Sequence, residues 1–582
     1  MAGETRVPTR FDRASFSARD RFTSMGGGSI GAKAGGLAAV VGFLEHEIAA
    51  AYEPAIQVGI PALAVVATDH FDRFLRQNDL LDVAASPLAD ESLAAAFRRA
   101  VLPADLIADL RAWLDQVHAP LAVRSSSQLE DAVSEPFAGV YLTRMLANNE
   151  RDQGERTERL ASAIRDVYAS TFFRKAKAYR RAVRQSGRDE KMAVIIQEVV
   201  GTARGGRFYP HLSGVARSCN FYPVGLARPE DGVVELALGL GKIIAEDGVA
   251  WPYSPAHPHA NPPYSTPRDL VNQTQSTFWA IEIPPPDDAA CRRGHAIPVK
   301  RYGLADAEAD GTLAFIASTY SADDDRIVAG ISGKGPRVLD FAPILKAQRI
   351  PLNRLLVELL DRCSRALGTS VEIEFAMTLS DPDPLPARFG LLQVRPMLVA
   401  YPEVEVRMPD CRSADVLAGS DCALGNGVID SIRDIVYVRP FAFDPHDGTS
   451  IARTLEVINQ SLVAADRPYV LIGFGRWGST DPSAGIPVDF GQISGAQVIV
   501  ESTLPDVNIL LSQGSHFFHN IVSRRALYLS VSHLGQYAVD WGWLEAQVPV
   551  TETALVRHVC LRAPLEVRVD GRTRLGVIVK PR

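Results

Sequence analysis

Between Leu352 and Val394 the hydrophobic period of the chain changes twice, and each change predicts an element. Leu352, Leu355, Leu356, Leu359, Leu360, Cys363 and Leu367 recur at i, i+3, i+4, i+7 spacing, with Gly368 placed to stop the helix. Val371, Ile373 and Phe375 then alternate with Glu372 and Glu374. This period of two reads as a half-buried strand with both glutamates on one face, about 7 Å apart. Asp381, Pro382, Asp383, Pro384 and Pro386 form a turn. Residues 391–394 return as a second strand that brings Gln393 and Arg395 alongside, and the helix is expected to pack under this sheet. Two readings fit the hairpin. One is a solvated charged face. The other groups two carboxylates, an amide and a guanidinium around a divalent metal and polyphosphate, because Mg2+ takes one or two carboxylates plus substrate oxygens.

Upstream, residues 1–20 are polar and aperiodic, a loose tail. Met25-Gly-Gly-Gly-Ser-Ile-Gly-Ala-Lys33-Ala-Gly-Gly-Leu37 runs into an apolar pattern through Val40, Val41, Leu44 and Ile48. A glycine-rich loop opening a helix is predicted, with backbone N–H groups and Lys33 able to face an anion. Gly26 and Gly31 have P-loop separation, but Lys33 comes one residue late and Ala34 stands where Ser or Thr would meet Mg2+. A different phosphate-facing loop and a flexible helix entry both remain open.

Residues 56–66 read as a strand and 70–117 as several helices. Pro120-Leu-Ala-Val-Arg124-Ser-Ser-Ser127 is a strand running into hydroxyls. Arg124 there could take phosphate oxygens bidentately, or the segment is an exposed polar loop. Glu130-Asp131 and Phe137-Ala-Gly139-Val-Tyr141 follow as an irregular loop, and 151–185 as a charged helix with a solvated basic face. Met192–Val200 is a buried strand, then 213–217 and 235–241 recur at strand-and-loop spacing. Residues 252–290 lack periodicity and read as a surface excursion, in which His257 and His259 have metal spacing without Cys or carboxylate partners.

A boundary is expected near 401–410. Beyond it, a strand at 469–472 precedes Gly473-Phe-Gly475-Arg476-Trp477-Gly478, a G-x-G-x-x-G with Glu501 downstream. Asp481-Pro482, Gly485 and Pro487 deny it the helix that a dinucleotide fingerprint requires. His516 and His519 read either as a packed, hydrogen-bonded pair or as a nucleophilic imidazole that could accept phosphate. Residues 565–579 form a hairpin around Asp570-Gly571.

Length changes the picture by allowing two to four domains in 582 residues. A net charge of −7 without a long Lys/Arg run argues against nucleic acid and anionic membranes as partners. No bilayer-length apolar stretch and no secretory apolar core stand out, and the six cysteines lack C-x-x-C pairs, so a cytoplasmic location is expected. The sequence does not set an oligomeric state.

The order of these motifs carries further information. The Lys33 loop, V-R-S-S, E-D…F-A-G, I-I-Q-E-V-V, S-G-V-A-R, G-L-G, E-I-E-F and L-L-Q-V-R-P follow one another in this sequence. The series resembles the ATP-binding N-terminal domain of pyruvate, phosphate dikinase and phosphoenolpyruvate synthase, over about residues 21–400. The resemblance implies an α/β (α+β) chain with a two-lobed ATP-grasp-like domain, lobes at about 21–190 and 191–400, and a C-terminal mixed α/β domain at 401–582. It implies that Lys33, Arg124 and Arg395 bind phosphate and act in catalysis. It places Glu372, Glu374 and Gln393 at a metal, and Gln197 and Val199 at adenine. Glu374 and Gln393 would also contact the nucleotide, with ATP and Mg2+ as cofactors.

Departures are equally plain. Glu372 stands where the family usually has Asp, and the loop reads G-A-K-A-G-G rather than G-G-K-G-A. No G-G-x-T-S-H-A phosphohistidine motif occurs among the twelve histidines, and the length leaves no room for a pyruvate-binding barrel. The expected function is a Mg-dependent ATP phosphotransferase whose acceptor is a small molecule or a partner's histidine. The alternative is a nucleotide-binding regulatory or scaffold protein that transfers nothing.

Overall fold

The computed structural model describes residues 8–17, 20–128, 130, 141–177, 190–220, 227–245, 249–260, 267–272, 274–283, 299–381, 383–397, 404–412, 414–440, 444–478, 485–488, 490–504, 511, 526–533, 536–571 and 573–581. The chain divides into two compact units, Met1–Met397 and Leu398–Arg582. Both combine helices with mixed sheets, the α/β class expected from the sequence.

In the first unit, one sheet has the order β1 (Thr9–Arg10), β2 (Phe22–Met25), β4 (Leu63–Val66), β7 (Met192–Glu198), β5 (Leu121–Ser127), β6 (Thr143–Leu146). The second has the order β12 (Trp251–Tyr253), β11 (Val233–Ala237), β10 (Leu212–Arg217), β18 (Val371–Thr378), β19 (Ala387–Pro396), β3 (Ile56–Gly59). Smaller sheets join β8 (Thr202–Arg204), β9 (Arg207–Tyr209), β13 (Thr277–Glu282) and β14 (Val299–Gly303), and β15 (Ser318–Ser321), β16 (Arg326–Ala329) and β17 (Arg337–Val338).

The continuous apolar runs of β4 and β7 follow from burial on both faces. Leu63, Val65, Ala193 and Ile195 join a core shared with helix Gly31–Phe43 and the second sheet. Ala64, Val66, Val194 and Ile196 pack instead against the helices of 68–114 and helix Gln153–Ser170. Helix Leu352–Leu367 lies under the second sheet as expected. Its Leu352, Leu355, Leu356, Leu359, Leu360 and Cys363 are buried, and Gly368 ends it in a left-handed conformation at φ 69°.

Three expectations are corrected. Residues 56–66 are not one strand: β3 belongs to the second sheet and β4 to the first, because Pro61 between them has no N–H to continue a ladder. Helix Gln153–Ser170, the described helix within 151–185, does not have a simply solvated basic face. Arg156 is buried, donating to the carbonyls of Leu114 and Val117, and buried Asp166 binds Arg98 and Arg144, so fixed acceptors replace water. Within 252–290, β13 is a core strand with Phe278, Ala280 and Ile281 buried, and His257 meets Asp231 at 3.1 Å.

Helical structure continues from Gly31 to Tyr52, long and apolar enough by composition to cross a bilayer. Here Ala34, Leu37, Val40, Val41, Leu44 and Ile48 face the core instead. Two glycines permit that placement. A Cβ on Gly31 (φ 75°) would lie 1.7 Å from the Ser126 carbonyl oxygen, and one on Gly36 would lie 2.0 Å from that of Val394. The helix is therefore held directly against β5 of one sheet and β19 of the other.

In the second unit, β20 (Val416–Ser420), β32 (Leu575–Val579), β31 (Glu566–Asp570) and β22 (Gly427–Ile429) form one sheet, with the expected β31–β32 hairpin. A seven-stranded sheet has the order β21 (Cys422–Leu424), β28 (Leu527–Val531), β27 (Ala496–Ser502), β24 (Tyr469–Phe474), β23 (Asp434–Val438), β30 (Val556–Cys560), β29 (Pro549–Glu552). Its strands β23, β24, β27 and β28 are mutually parallel. The glycine motif after β24 enters β25 (Arg476–Trp477), paired with β26 (Gly485–Ile486), and not a helix. His516 and His519 lie outside the described residues.

The contrast between neighbouring glycines makes the clamp testable. Gly36→Ala is expected to lower stability by about 1–3 kcal/mol through overpacking against β19. Gly35→Ala, with nothing within 4 Å of its Cβ position, is expected to be neutral or stabilising. Urea unfolding of both variants checks this.

Candidate functional site

Alternation along the strands decides which side chains face the space between the two sheets of the first unit. On β5, Leu121 and Val123 pack toward the helices of the first sheet, which leaves Ala122 and Arg124 for the opposite face. On β18, Val371, Ile373 and Phe375 enter the core over helix Leu352–Leu367, so Glu372 and Glu374 share the other face. Register places Glu372 opposite Arg395 and Glu374 opposite Gln393, with a bulge just after Glu374. On the other side of β18, Glu372 faces Arg217 and Glu374 faces Val215 of β10.

Arg124 joins the two sheets. Its Nη2 donates to Gln393 Oε1 at 2.8 Å and to Glu374 Oε2 at 3.3 Å. Behind this contact runs a row of alternating charge across four strands. Arg217 donates to Glu235 on β11 and to Glu372 on β18, each at 2.7 Å, and Arg395 Nε on β19 donates to the other oxygen of Glu372 at 2.8 Å. Burial alone would discourage the charge on Arg217, but Glu235 and Glu372 more than offset it and hold its pKa well above the ordinary value. Both Glu372 oxygens are thus taken by guanidinium groups, whereas the Glu374 side chain is 34% exposed and meets Arg124.

Lys33 sits in the first turn of helix Gly31–Phe43. Its Nζ lies 2.6 Å from Glu130 Oε1, which also accepts from Ser125 Oγ at 2.6 Å, while Glu130 Oε2 accepts from Ser127 N at 2.9 Å. Ser126 Oγ accepts from Ala34 N at 3.2 Å and donates to the Ile30 carbonyl, which ties the serine cluster to the helix start. The glycine loop differs from a phosphate cradle. Asp69 accepts the N–H groups of Gly27 (3.0 Å) and Gly28 (3.2 Å), and Thr68 Oγ1 accepts that of Ser29. The loop's amides already hold an anion, one that the chain supplies.

At the other end the cleft is apolar. Gln197 is buried at the end of β7, and its Nε2 has no hydrogen-bond partner among the described residues. Val199 packs with Met145, Ala147, Leu240, Trp279 and Ile281. Val215, Ala237, Ile243 and Ile244 form an adjoining group, and Lys242 Nζ stands 3.8 Å from the centre of the Trp279 ring. Among the described residues no three His, Cys, Asp or Glu side chains converge as a ready-made metal site. Glu374 and the Gln393 amide oxygen, both now accepting from Arg124, are oxygen groups on this face that could serve a cation.

Such a cleft, apolar with one unfilled amide donor at one end and densely charged at the other, suits a nucleotide. The model of the family described as pyruvate phosphate dikinase, AMP/ATP-binding domain, matches residues 28–414, more than half of the chain. The chain belongs to this family. A comparison with curated proteins returned no match. Membership of the dikinase and phosphoenolpyruvate synthase family makes this an ATP-binding chain.

The structure brings Arg124, Glu374 and Gln393 into one group and Glu372 and Arg395 into an adjoining row, and holds Lys33 beside Ser125 on the same strand as Arg124. Gln197 and Val199 stand apart from it in the apolar region. Sequence reasoning missed Arg217, Glu235, Asp69 and the pairing role of Glu130. Arg217 carried a signal, a lone cation closing an otherwise apolar strand. Asp69 carried none, because its glycine partners lie some forty positions away.

Asp69 yields a pH prediction. Burial pushes its carboxyl up, but the Gly27 N–H, the neighbouring His70 and the Gly28 N–H together outweigh this and leave its pKa below 3.8. A depressed folded value means stability that is complete above 3.8 and is lost as pH falls through the folded value. Asp69→Asn should cost roughly 1 kcal/mol at neutral pH, and its gap from the wild type should close in acid. Chemical denaturation across pH checks both statements.

Proposed function

We propose that the first unit binds Mg-ATP in the cleft between its two sheets and transfers a phosphoryl group from it. The contact that carries this reading is Arg124, which reaches from β5 to Gln393 and Glu374 on the facing sheet. One guanidinium there can answer to both walls of the cleft and to a polyphosphate lying between them.

Adenine would lie against Val199, Leu240 and Trp279 and accept the unused proton of Gln197 Nε2. Lys33, Arg124 and Arg395 would hold the phosphate oxygens. Glu374 and Gln393 would ligate Mg2+, and Glu372 would join them only by releasing Arg395; otherwise it orients that guanidinium. Bound Mg2+ would neutralise phosphate charge and fix its geometry. Transfer of this kind forms the acceptor–phosphorus bond in line with the bond that breaks, so fixed cations and positioning supply most of the catalysis. The acceptor is a small molecule or a histidine of a partner, and the free thiols fit a cytoplasmic setting.

Charge matching supports the metal requirement. Lys33, Arg124, Arg217 and Arg395 are each paired with a carboxylate, from Glu130, Glu374, Glu235 and Glu372. Because these four cations are already matched by four carboxylates, they offer less to metal-free ATP than to ATP that brings its own cation.

Calorimetry of the whole protein should show ATP binding weakened at least about tenfold when Mg2+ is chelated. Glu374→Gln should narrow that gap from both sides, and equal affinity with and without Mg2+ would overturn the metal assignment. Product analysis then decides the chemistry. AMP points to dikinase-type transfer, ADP to a simple kinase or ATPase. ATP bound but left intact by the protein would identify a nucleotide-binding regulator instead.

A further inference from the structure

The G-F-G-R-W-G motif lies in the second unit, where the structure gives it a definite place. Strands β23, β24, β27 and β28 run parallel, so their carboxyl ends share one edge of the sheet. In open α/β sheets that edge is where ligands bind. The last row across it is Phe474 of β24, Ser502 of β27 and Val531 of β28. Immediately beyond it come Arg476, Thr503 and His533.

The turn carrying Arg476 is locked in place. Gly475 (φ 70°) and Gly478 (φ 86°) are left-handed, and Gly475 N donates to Ser502 O at 3.1 Å. A Cβ on Gly473 would lie 2.4 Å from the Trp477 ring, and one on Gly485 would lie 2.0 Å from the Arg476 carbonyl oxygen. Glycine is needed at both points for the backbone to close around Arg476. The Arg476 side chain is half-buried, and its Nε is fully buried with no hydrogen-bond partner among the described residues. A buried guanidinium donor left unused costs free energy that a ligand oxygen would recover.

Along the same edge, past β28 and two strands from β24, His533 is exposed but its ring is held. Nδ1 lies 2.7 Å from Thr503 Oγ1, and the same hydroxyl accepts His533 N at 2.9 Å. This pairing orients the imidazole and leaves Nε2 for solvent or a ligand. A guanidinium with an unused buried donor and an oriented imidazole along the carboxyl edge of one parallel sheet can serve a small oxyanion.

We infer that the second unit has its own binding site, formed by Arg476 and His533 with Thr503 in support, for a ligand bearing a phosphate or carboxylate group. This inference is independent of phosphoryl transfer in the first unit. The test titrates the full chain by calorimetry with inorganic phosphate and, separately, with acetate, which distinguishes the two oxyanion sources. Arg476→Gln should weaken binding of the preferred probe by about tenfold or more, the loss expected for one charge-assisted hydrogen bond, and Arg476→Lys should restore part of it. Arg124→Met, in the ATP cleft, should leave it unchanged.

Binding of neither probe, retention of wild-type affinity by Arg476→Gln, or loss of binding in Arg124→Met would each overturn the site. Should Arg476→Gln fail to fold, the ring signals of His533 in the wild type decide, assigned by their disappearance in His533→Asn. A shift on adding the probe supports the site, and no shift dismisses it.

Discussion

Arg217 is buried between two carboxylates, and the order of the cleft depends on that arrangement. Taking a guanidinium out of water is costly unless its partners compensate closely. Here Glu235 and Glu372 both do so at 2.7 Å, and Glu372 uses its second oxygen to hold Arg395. Breaking such a row by deleting one member leaves an uncompensated buried charge. The four side chains therefore act as a unit that fixes the second-sheet wall. Glu374 and Gln393, two residues farther along β18 and β19, meet Arg124 in front of it.

The opposite wall is fixed by shape. Gly31 and Gly36 let one helix touch β5 and β19 through backbone atoms, a closeness that any side chain would prevent. Lys33, between those glycines, is thereby delivered to the serine end of β5, where Glu130 receives it. Asp69 then closes the loop in front by binding its amides. The loop's glycines serve packing and internal capping, and the positive charge offered to a polyphosphate comes from side chains.

Much of this was legible in the sequence where local pattern and tertiary role agree. The helix at 352–367, its glycine stop and the E-I-E-F strand follow from period alone, because each buries one face against the other. Agreement failed where a tertiary partner overrode the local signal. Pro61 split an apolar run between two sheets, and Arg156 was buried because distant carbonyls accepted its hydrogen bonds. The same limit hid much of the candidate site. The alternation of Glu372 and Glu374 showed a shared face, yet not that two arginines would saturate Glu372 and leave Glu374 more open. Those partners come from β10, more than 150 residues upstream, and from the returning strand.

The two carboxylates of E-I-E-F thus differ by environment rather than by type. Glu372, buried and doubly paired, can meet a metal only by exposing Arg395, so its longer side chain relative to Asp serves to span two guanidinium groups. In the proposed reading, Glu374 would give up only a 3.3 Å contact on turning toward a cation, and Arg124 would keep Gln393 at 2.8 Å while its contact to Glu374 became available to a phosphate oxygen. Metal and phosphate capture would then be coupled through one side-chain exchange, which would favour a ligand and a metal that arrive together.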